Sequence, residues 1–172
     1  MLHEVLRGLR ADPAFMERVT HWEVLPAREG RYADFPAGID PRIRDALHGR
    51  GIDRIYSHQL SAFNAVRAGR TVVIVSPTAS GKTLAYNLPV LQTLLEDPDA
   101  RALYLFPTKA LSADQVDELH GLVTDMKVDI GTYTFDGDTP QDARRAIRSA
   151  GHIVVTNPDK SYGTKFAVFS VT

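Results

Sequence analysis

Residues 71–83 limit the possible folds more than any other stretch of the chain. Thr71-Val72-Val73-Ile74-Val75 is a short, continuous run of mostly β-branched residues, which suits a strand buried on both faces of a parallel sheet. It leads straight into Ser76-Pro77-Thr78-Ala79-Ser80-Gly81-Lys82-Thr83, and a helical stretch follows from about Lys82 to Glu96. Strand, small-residue loop and helix in that order fit one chemical task. Small residues let backbone N–H groups wrap a phosphate, and a helix N-terminus turns its partial positive charge toward it. One lysine reaches the outer oxygens and one hydroxyl holds Mg²⁺. Thr78, Ala79, Ser80 and Gly81 form the cradle, Lys82 supplies the ammonium and Thr83 the hydroxyl. The general pattern has glycine five residues before Gly81, where this chain has Ser76. A chance surface turn is the competing reading, and the strand before and helix after weigh against it.

The same rhythm continues downstream. Residues 102–106 read as a strand, Lys109 to Met126 as a helix and residues 129–135 as a weaker strand. Thr139 is expected to cap a helix opening at Pro140, and Ile153 to Thr156 is a fourth strand. Alternating strands and helices define an α/β domain, with a mainly parallel sheet and helices on both faces. Ligands in such sheets sit at the carboxyl ends of the strands. Upstream, Leu2, Val5, Leu6 and Leu9 recur at helical spacing until Asp12-Pro13. Residues 26–41, with three prolines, read as an extended linker. Asp40 and Pro41 open a second helix that Gly51 stops, and Ser57 caps a third running to Ala68. The expected division is a helical and extended preface over 1–50, a nucleotide-binding domain over 51–159 and an atypical tail over 160–172.

Composition closes off other classes. The 172 residues include no cysteine, so a disulfide framework or cysteine-ligated metal is excluded here. The six histidines show no i, i+4 spacing that would favour a metal site. Net charge is -1, so nucleic-acid contact has to come from a local surface. No apolar stretch approaches bilayer length, and the N-terminal residues lack the apolar run of a signal peptide. A cytoplasmic protein without a membrane partner is expected.

Three further strand ends carry hydroxyl residues ahead of a turn or helix: Pro107-Thr108-Lys109, Gly137-Asp138-Thr139 and Thr156-Asn157. Each alone reads as an ordinary cap. Side by side, they can hold successive phosphates of one nucleic-acid strand.

As a set, these motifs resemble those of superfamily 2 DEAD/DEAH-box helicases over about residues 22–159. Ser76 to Thr83 resembles motif I, Pro107 to Leu111 motif Ia, Asp136 to Thr139 the glycine motif and Thr156 to Asp159 motif Ib. Tyr56-Ser57-His58-Gln59 resembles the Q motif, and the combination is most like the YprA-like DNA helicases, repair-associated enzymes of bacteria, archaea and fungi. The resemblance implies a RecA-like P-loop NTPase domain that binds ATP and Mg²⁺. It implies that Gln59 reads the adenine edge and Phe35 packs on the base. It also implies that Pro107, Thr108, Lys109, Gly137, Asp138, Thr156 and Asn157 line a single-stranded, DNA-type track.

Motif II, an Asp-Glu pair at a strand end, is not found after Asp159. The second RecA-like domain and its arginine finger are missing too, and such positioned charges carry most of phosphoryl-transfer catalysis. The expectation is a domain incomplete at its C-terminus that binds nucleotide without turning it over. The alternative is a non-catalytic nucleotide- or nucleic-acid-binding remnant. A small P-loop kinase is a further rival, opposed by Ser76 and by the strand end at 107–111. Arg144, Arg145 and Arg148 read as a solvated basic face rather than a DNA contact. Trp22 reads as a packing anchor for the preface, and His58 as a structural member of its turn. Residues 165–171 are β-prone and are expected either to dock as a strand or to stay exposed, with exposure favoured.

Overall fold

The computed structural model describes residues 1–26, 29–77, 80–157 and 169–171. The chain divides into two compact units, Met1–Gly30 and Arg31–Thr172. In the first, helix α1 spans Leu2–Ala11 and the short helix α2 spans Pro13–Met16. Asp12 separates them and accepts hydrogen bonds from Ala14 N and Phe15 N, with Pro13 at the first helical position. A proline there gives up only an N–H that has no intrahelical partner. Trp22 lies under the Arg10 guanidinium, 5.9 Å from the ring centre.

The second unit begins where a plain linker was expected. Tyr32–Ala33 (β1) instead pairs antiparallel with Ile55–Tyr56 (β2), Tyr32 opposite Tyr56. Between them lies helix α3, Pro41–Gly49, capped by Asp40 as its sequence requires. Helix α4, Ser57–Arg67, begins directly after β2. Its first turn is closed by Gln59, whose Oε1 accepts from Tyr56 N at 2.7 Å, and Ser57 stands inside the helix rather than capping it. Then come helix α5 (Lys82–Glu96), strand β3 (Ala102–Leu105), helix α6 (Lys109–Met126), strand β4 (Thr132–Thr134), helix α7 (Gln141–Ala150), strand β5 (Ile153–Thr156) and strand β6 (Phe169–Val171). The sheet order is β4-β5-β3-β6. The first three strands are parallel, with Leu105 beside Thr156 and Thr134 beside Val155, so their carboxyl ends are level.

The core lies between this sheet and its helices. Ile43 and Leu47 of α3, Leu88 and Leu91 of α5, Leu119 of α6, Tyr104 of β3 and Ile153 and Val155 of β5 are almost wholly buried in one apolar cluster. Burial of each such side chain contributes roughly 1.5–3 kcal/mol. Tyr104 reaches the middle of it because its hydroxyl donates to Asn87 Oδ1, 3.0 Å away and also buried. Desolvation pushes that phenol well above its ordinary pKa. Among the described residues, no helix is long and apolar enough to cross a membrane.

Three further expectations are corrected. The run at 71–75 is not a strand: it pairs with no strand among the described residues, and Val73 and Val75 are 84% and 92% exposed. A strand needs neighbours to satisfy its peptide groups, and the place beside β3 is taken by β6. The second correction is β6 itself. Residues 169–171 do not stay free of the sheet but pair antiparallel with β3, Phe169 opposite Tyr104 and Val171 opposite Ala102. An open edge accepts whatever strand reaches it; residues 165–168 lie outside the described residues. Third, Thr139 does not cap α7. Its hydroxyl accepts from Asp136 N at 2.9 Å and so closes the preceding turn.

Candidate functional site

Gly81 is the N-cap of α5 and adopts φ +75°, a left-handed conformation that glycine tolerates without strain. Its carbonyl accepts from Gln59 Nε2 at 2.7 Å. A Cβ at this position would stand only 2.7 Å from that same nitrogen. The buried Gln59 side chain therefore braces two things, the first turn of α4 through its oxygen and the start of α5 through its nitrogen. An amide has two donors and two acceptor lone pairs. One of each is used here, which leaves one of each for a ligand edge.

Lys82, the first residue of α5, donates to the carbonyls of Ser76 and Pro77, both at 2.7 Å, and Ser76 and Ser80 hydroxyls meet at 2.6 Å. The ammonium thus sits inside the loop it was expected to serve. Thr78 and Ala79, also assigned to the cradle, lie outside the described residues. Thr83, in the first turn, hydrogen-bonds the phenol of Tyr86, whose pKa is raised chiefly by burial. Tyr86 in turn donates to Gln115 of α6.

A cleft of about 980 Å³ opens over these groups, lined by Gln59, Ser80, Gly81, Lys82 and Thr83 on one side and by Tyr32, Tyr56 and Arg54 on another. The rings of Tyr32 and Tyr56 stack at 4.9 Å, and a hydrogen bond between their side chains raises the Tyr32 phenol. Phe35 is not part of this lining; it meets the edge of His48 at 5.4 Å. Sequence reading named Phe35 and missed Tyr32 and Tyr56 as cleft residues, because two-residue strands leave almost no periodic signal. Tyr56 stood in plain view three residues before Gln59. Among the described residues, no three His, Asp or Glu gather to hold a metal. Thr83 and Glu118, both on the cleft wall, are oxygen-bearing side chains of the kind a hard cation takes.

The level strand ends carry the other expected contacts. Thr108 caps α6, its Oγ1 accepting from Leu111 N at 3.3 Å, with exposed Pro107 ahead of it. Thr156 closes β5, its carbonyl accepting from Phe106 N at 2.9 Å, and Asn157 follows it, half-buried. Lys109 forms an ion pair with Asp138, which holds the Asp138 carboxyl below its ordinary range. The Asp136–Thr139 turn is thereby tied to the N-terminus of α6. Gly137 has nothing within 4 Å of where a Cβ would lie and no positive φ, so neither packing nor backbone conformation requires glycine there.

The basic helix is corrected in one residue. Arg145 and Arg148 are exposed, as a solvated face demands. Arg144 is half-buried, donates to the carbonyls of Asp136, Gly137 and Thr139, and lies 5.2 Å from the Phe135 ring centre.

The family model for DEAD/DEAH box helicases matches residues 56–165. The uncharacterized ATP-dependent helicase YprA of Bacillus subtilis is 50% identical over 92% of this chain, which spans 21% of that relative. The ATP-dependent helicase hrq1 of Schizosaccharomyces pombe is 34% identical over 95% of the chain, which spans 16% of it. A crystal structure of the DUF1998 helicase MrfA bound to DNA and AMPPNP superposes with a TM-score of 0.81 at 49% identity, covering 91% of this chain and 22% of that one. The chain therefore spans about a fifth of the length of the proteins it matches.

Proposed function

Because the chain belongs to the DEAD/DEAH box helicases and has their RecA-like α/β fold, we propose that it is the ATP-binding part of an ATP-dependent DNA helicase. In this reading it binds ATP with Mg²⁺ in the cleft and single-stranded DNA along the level strand ends. The observation that carries the reading is the Gln59 amide, tied to Gly81 O at 2.7 Å beside Lys82 in a cleft of about 980 Å³. Its remaining donor and acceptor match the edge of adenine. Tyr32 and Tyr56 offer the base a stacked aromatic wall. Lys82 exchanges the loop carbonyls for phosphate oxygens, a stronger, charge-assisted bond, and Thr83 takes the metal. A nucleic-acid role is supported by the MrfA structure, which holds DNA, and by the three strand ends at one level. A cytoplasmic location and a part in DNA repair belong to the same reading on the family likeness alone.

No Asp-Glu pair follows Asp159 in these 172 residues. We accordingly assign this polypeptide nucleotide binding without turnover, the chemistry of hydrolysis needing a carboxylate to orient the metal and the attacking water. Calorimetric titration with ATP and Mg²⁺ tests the reading. Binding should disappear in Lys82→Ala, and Gln59→Ala should bring ATP and GTP to equal affinity. Equal competition by GTP in the unsubstituted chain would remove the adenine assignment, and an unaffected Lys82→Ala would remove the phosphate loop.

A further inference from the structure

We propose that Arg144 is a positioning residue for nucleic-acid binding: it draws the carbonyls of the 136–139 turn inward and so turns the peptide N–H of Gly137 toward the phosphate track. This deepens the proposed function and rests on the reading of that turn as a phosphate contact. Arg144 Nε donates to Thr139 O at 2.8 Å, and Nη2 donates to Asp136 O at 2.8 Å and Gly137 O at 3.3 Å. In a planar trans peptide, the carbonyl of one residue and the N–H of the next point opposite ways. With Asp136 O facing the guanidinium, Gly137 N–H faces away from it. With Gly137 O also facing inward, Asp138 N–H is turned outward too, but it is already used, donating to Asp136 Oδ1 at 2.9 Å. The third inward carbonyl precedes Pro140, which has no N–H. One outward donor therefore results, at a glycine where the position of a Cβ is open.

The guanidinium is fixed for this task. It stands 5.2 Å from the Phe135 ring centre, with Arg148 at 5.8 Å on the same ring. Its helix is anchored one turn away by buried Ile147. A planar fork holds its donors to these three carbonyls in one fixed geometry. A lysine at 144 keeps the charge and loses the fork. Arg144 donates to backbone carbonyls, whereas Lys109, at the mouth of the same turn, pairs with the exposed Asp138 carboxylate.

The test is fluorescence anisotropy of a labelled oligothymidylate against the full 172-residue chain, repeated over a range of salt. Arg144→Lys and Arg144→Ala should both bind about tenfold more weakly, equivalent to ~1.4 kcal/mol, with the salt slope unchanged. Lys109→Ala, removing a phosphate partner, should lower that slope by about one. If Arg144→Lys binds as tightly as the unsubstituted chain, or Arg144→Ala flattens the slope, Arg144 touches phosphate or does nothing, and the inference falls while the DNA reading stands. If the unsubstituted chain does not bind the oligonucleotide, the DNA reading falls and takes the inference with it. Hydrogen exchange on the unsubstituted chain gives a measurement free of folding defects. The oligonucleotide should slow exchange at Gly137, and unchanged exchange there at saturation overturns the inference.

Discussion

Two glycines, Gly81 and Gly137, differ in what a methyl group would do to them, and the difference separates fold from function. Gly81 has φ +75° and a buried amide 2.7 Å from its would-be Cβ. Alanine there meets a backbone penalty of about 1–2 kcal/mol and displaces Gln59, which then releases the first turn of α4. Gly81→Ala should lower the melting temperature and abolish ATP binding together. Gly137→Ala meets neither obstacle, so its stability should stay within ~0.5 kcal/mol of the unsubstituted chain, while oligonucleotide binding weakens. Thermal melts alongside both titrations check the pair; a stable Gly81→Ala that still binds ATP would remove the dual role of that residue. Such residues were legible in sequence because phosphate chemistry fixes both type and spacing: Gly81, Lys82 and Thr83 could be named from an expected strand, a loop and a helix, although the strand itself is not formed among the described residues. Tyr32, Tyr56 and Arg144 were not. Their placing depends on contacts between segments far apart in the chain, or on one arginine among three turning inward.

At the scale of elements, helices were read closely and strands less so. Helices α3, α5 and α6 carry their own start signals, Asp40-Pro41, Gly81 and Thr108. A strand has no such independence: residues 71–75 have ideal strand composition yet find no partner among the described residues, while 169–171 form one because β3 offers an edge. Helix α3 shows how a local signal becomes a tertiary one. The Asp40 carboxylate accepts from Arg42 N at 2.8 Å and pairs with the Arg42 guanidinium, which holds its carboxyl below the ordinary range. Its own N–H donates to Gln92 of α5, and Gln92 holds Glu96, whose carboxyl is lowered by that bond and by Arg67 of α4. Both groups titrate lower in the folded chain than in the unfolded one. Their contribution is therefore complete above the ordinary carboxylate range and lost as pH falls through their lowered values. Asp40→Asn retains a capping oxygen but not the charge, so it should lose the contribution of the charged pair at neutral pH, match the unsubstituted chain in acid and thereby flatten the acid limb. Asp40→Ala should lose about 1 kcal/mol at neutral pH. Urea titrations at several pH values measure both, and an acid limb unchanged in Asp40→Asn would mean that the pair does not matter.

Across the second unit, one helix reaches both proposed ligands. Helix α6 presents Thr108 and Lys109 at its N-terminus, lines the cleft with Leu111 and Glu118, and accepts the Tyr86 hydroxyl on Gln115. Its 18 residues make a rod of about 27 Å, so filling the cleft has a direct way to steady the surface proposed to face nucleic acid. Ligand that binds only the folded chain stabilises it by mass action, about 2.7 kcal/mol at a hundredfold excess over the dissociation constant. For a chain of this length each kcal/mol moves the melting point by roughly 2–4 °C. ATP with Mg²⁺ at that excess should therefore raise it by about 5–10 °C, and Lys82→Ala should remove the rise. Phosphate release measured in the same samples should stay at background with and without oligonucleotide. Stabilisation without release is the result expected if the proposed phosphate loop binds nucleotide without an Asp-Glu carboxylate beside it. Release that Lys82→Ala abolishes would mean that another carboxylate serves the metal, and Glu118, which lines the cleft with Lys82 and Thr83, would be the first to replace.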